Sequence, residues 1–104
     1  MWRCKNTAPI PEDVRKAAGV LERRYAVSIL FASHAGCTRF NEFRQALGEI
    51  PPGTLAQRLL QLEQAGVLRR VVTDARPPRV EYELTGQGER LRAVLDALAG
   101  WARA

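Results

Sequence analysis

Apolar residues recur at helical spacing through most of this chain, and the stripes they form predict a run of helices interrupted by one hairpin. Val14, Ala17, Ala18 and Leu21 make the first stripe, which stops at the charged Glu22-Arg23-Arg24. Pro11 tolerates a helix start because its missing N–H has no intrahelical partner there, and Glu12 and Asp13 suit the positive end of the dipole. Residues 1–11, with Pro9 and Pro11, read as irregular. A second helix from Tyr25 to about Ser33 holds Ala26, Val27, Ile29, Leu30 and Phe31 and marks the centre of the core.

His34-Ala35-Gly36-Cys37 breaks the pattern, and Thr38-Arg39-Phe40 reads as a short strand. Asn41 is expected to cap a helix from Glu42 to about Leu47 that buries Phe43, Ala46 and Leu47. Gly48-Glu49-Ile50-Pro51 then turns the chain into a longer helix. Its start reads in two ways. Pro52 sits at the first helical position with Pro51 as cap, or Thr54 caps and Gln57 answers it; the preset φ of proline favours the first. Leu55, Leu59 and Leu62 form the inward stripe, and Gly66 ends the helix.

Beyond Gly66 the period changes from helical to alternating. Val67 to Thr73, and Val80 to Leu84 with Val80, Tyr82 and Leu84 on one face, read as strands joined through Asp74-Ala75-Arg76-Pro77-Pro78-Arg79. The two prolines stiffen the tip and blunt it against edge pairing. Thr85 is expected to cap a last helix, in which Leu91, Val94, Leu95, Leu98 and Trp101 form a continuous stripe.

Two helices joined by a short glycine-containing turn, followed by a hairpin, define the expected fold. It is α+β, mainly α: a winged helix-turn-helix with a three-helix core, a β-hairpin wing, and N- and C-terminal dimerisation helices. Residues 12–104 form the single domain, with the helix-turn-helix at about 41–65, the wing at about 67–84 and the terminal helix at about 86–102. That last helix follows an already complete winged unit, so Leu91, Val94, Leu95, Leu98 and Trp101 are expected to face a second copy. Folding back on its own domain is the alternative.

Charge sharpens this picture. The formal net charge is +5, and nearly all the positive charge is arginine, which suits phosphate and base-edge contacts. The outer face of the 52–64 helix offers Thr54, Gln57, Arg58 and Gln61, with no carboxylate before Glu63. Gln pairs with adenine and Arg with guanine in the major groove of double-stranded DNA. Pro52, Gly53, Thr54, Gln57, Arg58 and Gln61 are therefore the candidate recognition residues, and Arg39, Arg44, Arg76 and Arg79 the candidate backbone contacts. An ordinary amphipathic helix with a polar surface is the plainer reading of the same residues.

Other chemistries find little purchase. The chain has a single histidine, His34, and no Cys-x-x-Cys pair, so no metal site or cofactor is expected. Ser28 and Ser33 lack nucleophile-elbow glycines, and Gly86-x-Gly88 lacks the strand that a dinucleotide fold requires, so no enzyme is expected. Cys4 and Cys37 are candidate redox thiols, against the commoner reading of Cys as an inert apolar residue. Neither a secretory signal nor a membrane-spanning run is evident, and the reducing cytoplasm is the expected compartment. Rival readings are a winged-helix protein–protein module, which would lose the cationic wing, and a sequence-tolerant architectural DNA binder.

The words of the sequence carry a resemblance. Arg39-Phe40-Asn41-Glu42-Phe43-Arg44-Gln45-Ala46-Leu47 is similar to the "RFSELRRAL" stretch of the HxlR family of bacterial winged helix-turn-helix regulators. Leu55 to Gly66 resembles its "LTQRLRELEADG", and Pro77 to Thr85 matches its wing signature "PPRVEYELT" residue for residue. The resemblance implies a cytoplasmic DNA-binding transcription regulator without catalytic activity that dimerises through its terminal helices, which adds Val14, Ala18 and Leu21 to the expected dimer interface. A small-molecule or oxidant effector is a partner to look for, with a pocket between the winged unit and the dimer helices as its place. The chain also departs from the family pattern. Glu22-Arg23-Arg24-Tyr25 replaces Gly-Gly-Lys-Trp, Pro51 replaces a capping Ser, and Gly53 replaces a Lys. The N-terminal Cys shared by many members falls on Glu12, so redox sensing through it does not carry over.

Overall fold

A computed structural model describes residues 9–104. Its elements run α1 (Glu12–Leu21), α2 (Ala26–His34), α3 (Phe40–Leu47), α4 (Pro52–Gln64), β1 (Leu68–Thr73), β2 (Arg79–Leu84), α5 (Gly86–Glu89) and α6 (Arg92–Ala102). Ile29 and Leu30 of α2, Phe43 of α3, Leu55 and Leu59 of α4 and Leu68 of β1 are fully buried, so the core lies where the three central helices meet the root of the wing. Val20, Leu21, Tyr82, Leu84 and Leu91 pack around it. The antiparallel hairpin pairs Leu68 with Leu84 and Thr73 with Arg79 at its two ends.

Several local starts follow from side-chain chemistry. Pro51, in extended conformation, caps α4 with Pro52 at the first helical position, and the Leu55 N–H donates to the Pro51 carbonyl at 3.0 Å. Gly66, at φ +80°, ends the same helix in the left-handed region that glycine reaches without strain. The start of α3 differs from expectation. Arg39, not Asn41, is the cap residue, and the Glu42 carboxylate accepts from the backbone N–H groups of Thr38 and Arg39, each at 2.9 Å. One carboxylate thus serves two N–H groups, and Asn41 lies exposed inside the first turn. The expected strand at 38–40 contracts to one backbone bond, in which the Tyr82 N–H donates to the Thr38 carbonyl at 2.7 Å. Within α3, Phe43 is buried and Leu47 half-buried, whereas Ala46 is exposed.

The C-terminal helix is not continuous. Thr85 caps only the single turn of α5, accepting from the Gly88 N–H at 3.1 Å while its hydroxyl donates to the Gly66 carbonyl. Gly88 is pressed so close to the strand root that a Cβ there would stand 2.1 Å from the Val67 carbonyl oxygen. His34 Nε2 lies 3.1 Å from the Gly88 carbonyl oxygen. The break is local: Arg90 and Leu91 keep right-handed helical dihedrals, and the Leu91 N–H donates to the Gly88 carbonyl at 3.1 Å before α6 begins. Leu95 corrects the expected dimer stripe: it is 3% exposed and belongs to the domain's own core.

Candidate nucleic-acid interface

The candidate interface is built on α4, whose three faces are distinct. Leu55, Leu59 and Leu62 are buried; Thr54, Arg58, Gln61 and Glu63 are half-buried; Pro52, Gly53, Ala56, Gln57, Leu60 and Gln64 are exposed. A period of 3.6 residues puts Gly53, Gln57, Leu60 and Gln64 along one outward line. Of the expected recognition residues, Gly53 and Gln57 lie at its centre. Thr54 and Gln61 stand at its flank.

Arg58 departs most from expectation. Its Nε donates to the Arg24 carbonyl oxygen at 2.9 Å, and its Nη1 reaches Gln61 Oε1 at 3.2 Å and Gln57 Oε1 at 3.4 Å. The guanidinium is therefore turned toward the corner between α1 and α2. It ties the helix to its own chain and holds the Gln61 amide more closely than that of Gln57. The residues missed by the sequence reading are Ala56 and Leu60, the latter 50% exposed. Counting outward positions from Gly53 at helical spacing would have found both.

On the wing, Arg76 and Arg79 are exposed, and neither forms an ion pair among the described residues. The Arg79 N–H donates to Thr73 Oγ1 at 3.3 Å, which holds the base of the tip. Arg44 is likewise exposed without an acidic partner among the described residues. Arg39 differs, because its Nε lies 3.6 Å from Glu81 Oε1 and its charge is partly answered within the fold. A cleft between the start of α3 and the wing brings Arg39, Asn41, Gln45 and Arg79 together. The two backbone N–H donors at Glu42, from Thr38 and then Arg39, hold that carboxyl below the usual carboxylate range, so it stays ionised and committed to the cap.

The candidate thiols separate. Cys4 lies outside the described residues. Cys37 is free and half-buried, and burial, then the nearby Glu42 charge, pushes its thiol above the ordinary value. Such a thiol carries less nucleophilic thiolate at neutral pH than an open cysteine does, the reverse of what a sensor needs. Among the described residues no three His, Cys, Asp or Glu side chains converge as a metal site would require.

An apolar surface remains on the far side. Val14 is 53% exposed, Val94 48%, Leu98 39% and Trp101 77%. Ala18, Leu21 and Leu91 are half-buried. A groove of about 310 Å³ runs between α1 and the α5–α6 segment, lined by Val14, Ala18, Leu21, Leu91 and Val94 among others.

The sequence profile of the HxlR-like helix-turn-helix matches residues 20–104, from the end of α1 through α6. The chain belongs to the HxlR-like helix-turn-helix family. It is 37% identical over 87 residues to the HTH-type transcriptional regulator YvaP of Bacillus subtilis, spanning 84% of this chain and 81% of that protein. To the HTH-type transcriptional regulator YtfH of Escherichia coli it is 42% identical over 78 residues, 75% of this chain and 62% of the other. The reduced form of the transcriptional regulator YodB from B. subtilis superposes with a TM-score of 0.81 at 31% identity, covering 90% of this chain and 92% of that one. Like the HxlR-like proteins it matches, this chain is a helix-turn-helix transcriptional regulator and not an enzyme. The mainly helical fold with one antiparallel hairpin is the winged form of that family. No helix among the described residues is long and apolar enough to cross a membrane.

Proposed function

We propose that this HxlR-like regulator is a cytoplasmic homodimer that reads a palindromic operator, with α4 in the major groove and the wing on the backbone or in the minor groove. The observation that carries the reading is the outward line of α4. It is free of carboxylates, bears the amides of Gln57 and Gln64, and shares the molecule with a wing whose Arg76 and Arg79 remain uncommitted. Groove geometry assigns the first to base edges and the second to phosphates. Thr54 and Gln61 flank the contact, Gly53 permits close backbone approach, and Arg44 joins the backbone grip. Arg58 acts from behind, as the residue that sets the helix's rotation.

A second copy would cover the exposed apolar side chains of α1 and α6. Val14, Val94, Leu98 and Trp101 lie on elements next to one groove, and a two-fold axis would bury the same patch of both subunits. That groove, between the winged unit and the dimer helices, is also where an apolar small-molecule effector would bear on both. A protein–protein module is disfavoured by the cationic wing. The test is selection of bound duplexes from a random pool, with the winner titrated at two salt concentrations. A palindrome with half-sites about one helical turn apart supports the reading. A steep salt slope with no enriched motif would replace it with an architectural role.

A further inference from the structure

The exposed face of α4 carries an apolar pair that charge does not account for: Leu60 on the outward line and Ala56 beside it. Leu60 is 50% exposed, and Ala56, one turn earlier, is exposed as well. Gln57 adjoins both. Residues four apart stand over one another on a helix, about 6 Å along its axis. Single exposed leucines are ordinary on a protein surface. This one adjoins the amide of Gln57 on the face that enters the major groove, the reading on which the present inference rests.

In that groove the apolar group that a base edge presents is the thymine C5 methyl. We infer that Ala56 and Leu60 read thymine methyl groups, with the Gln57 amide bonding a neighbouring adenine, so that each half-site carries A·T pairs beneath the centre of α4. Guanine offers O6 and N7 acceptors there, and cytosine an N4 donor. Pressed against leucine, those edges would lose their water without gaining a partner, so exclusion adds to attraction. The helix's arginine does not supply a guanine reader on this line, because Arg58 is spent on the Arg24 carbonyl. The Gln57 contact with Arg58 is loose at 3.4 Å and leaves the amide N–H donors free for a base.

The experiment uses the whole chain and the duplex it selects. Each thymine of that duplex is replaced in turn by deoxyuracil, which pairs identically but lacks the methyl group. Wild type is expected to lose about fourfold in affinity at one or two positions per half-site. Leu60→Ala is expected to lose that sensitivity at the position Leu60 covers while keeping the salt slope. Wild-type tolerance of every deoxyuracil overturns the inference and leaves the DNA reading standing. So does a Leu60→Ala protein with unaltered sensitivity at every thymine. If no duplex is enriched, the sequence-specific reading falls and takes the inference with it. The deoxyuracil series on wild type needs no variant to fold.

Discussion

Arg58 of α4 donates from Nε to the carbonyl oxygen of Arg24, 34 residues earlier in the chain, at 2.9 Å. A side chain that by composition belongs to the DNA-facing set instead ties α4 to the corner between α1 and α2. Arg58→Ala is expected to lower stability by about 1 kcal/mol, the ordinary net value of such a bond. In a domain of this size that corresponds to a fall of about 4–8 °C in the melting temperature. Affinity should drop while the preferred base at each operator position stays the same. A changed base preference in duplex selection would return Arg58 to the groove.

Gly88 carries a second structural commitment. A Cβ at this position would stand 2.1 Å from a backbone oxygen, that of Val67, which no rotamer change can relieve. Gly88→Ala should therefore cost about 3 kcal/mol, the upper end of ordinary overpacking. Thr85→Ala should cost about 1 kcal/mol through the lost cap. Urea unfolding of both variants, with wild-type m-values, checks the order. Equal stability of Gly88→Ala and wild type would show that α5 can lift off the strand root.

The arginines near the wing differ in how far they are already engaged. Arg79→Ala and Arg76→Ala are expected to weaken binding to all sequences alike and to lower the salt slope by about one charge each. Arg39, 3.6 Å from Glu81, should show a smaller change in slope because part of its charge is answered within the fold. Titrations of the three single variants at several salt concentrations separate these cases.

Cys37 should be slow to react. Burial and the Glu42 charge raise its thiol above the ordinary value, so its thiolate is scarce at neutral pH and its labelling rate should climb only at alkaline pH. In a Cys4→Ser background, iodoacetamide labelling at pH 7 is expected to be slower than that of an unstructured cysteine peptide. Operator affinity should be unaffected by Cys37→Ser. Rapid labelling near neutrality, or loss of oxidant response on that substitution alone, would restore the switch.

Two leucines of α6 should part company. Leu98 is 39% exposed and Leu95 is 3% exposed. Leu98→Glu is expected to leave the fold intact and convert a dimer to a monomer in sedimentation. Leu95→Ala should instead destabilise the domain by about 2–5 kcal/mol, as core truncations do. A Leu98→Glu protein that sediments as wild type would move the interface elsewhere.

Most elements of this chain were readable from local pattern. Helical spacing of Leu55, Leu59 and Leu62, the paired prolines at 51 and 52, Gly66 as terminator and the alternation through the wing are short-range properties. Neighbouring residues determine them, and α4, β1 and β2 formed within a residue of their expected bounds. The cap at Arg39 is local too, since Glu42 lies three residues on, but Asn41 is intrinsically the better capping residue and masks it. What only the tertiary structure decided is where distant groups meet. The turn of Arg58 toward Arg24, the break between α5 and α6 over the Val67 carbonyl, and the burial of Leu95 all depend on contacts between residues far apart in sequence. Periodicity tells which face of a helix is apolar. It cannot tell whether that face is covered by the same chain or a second one, because both remove the same surface from water.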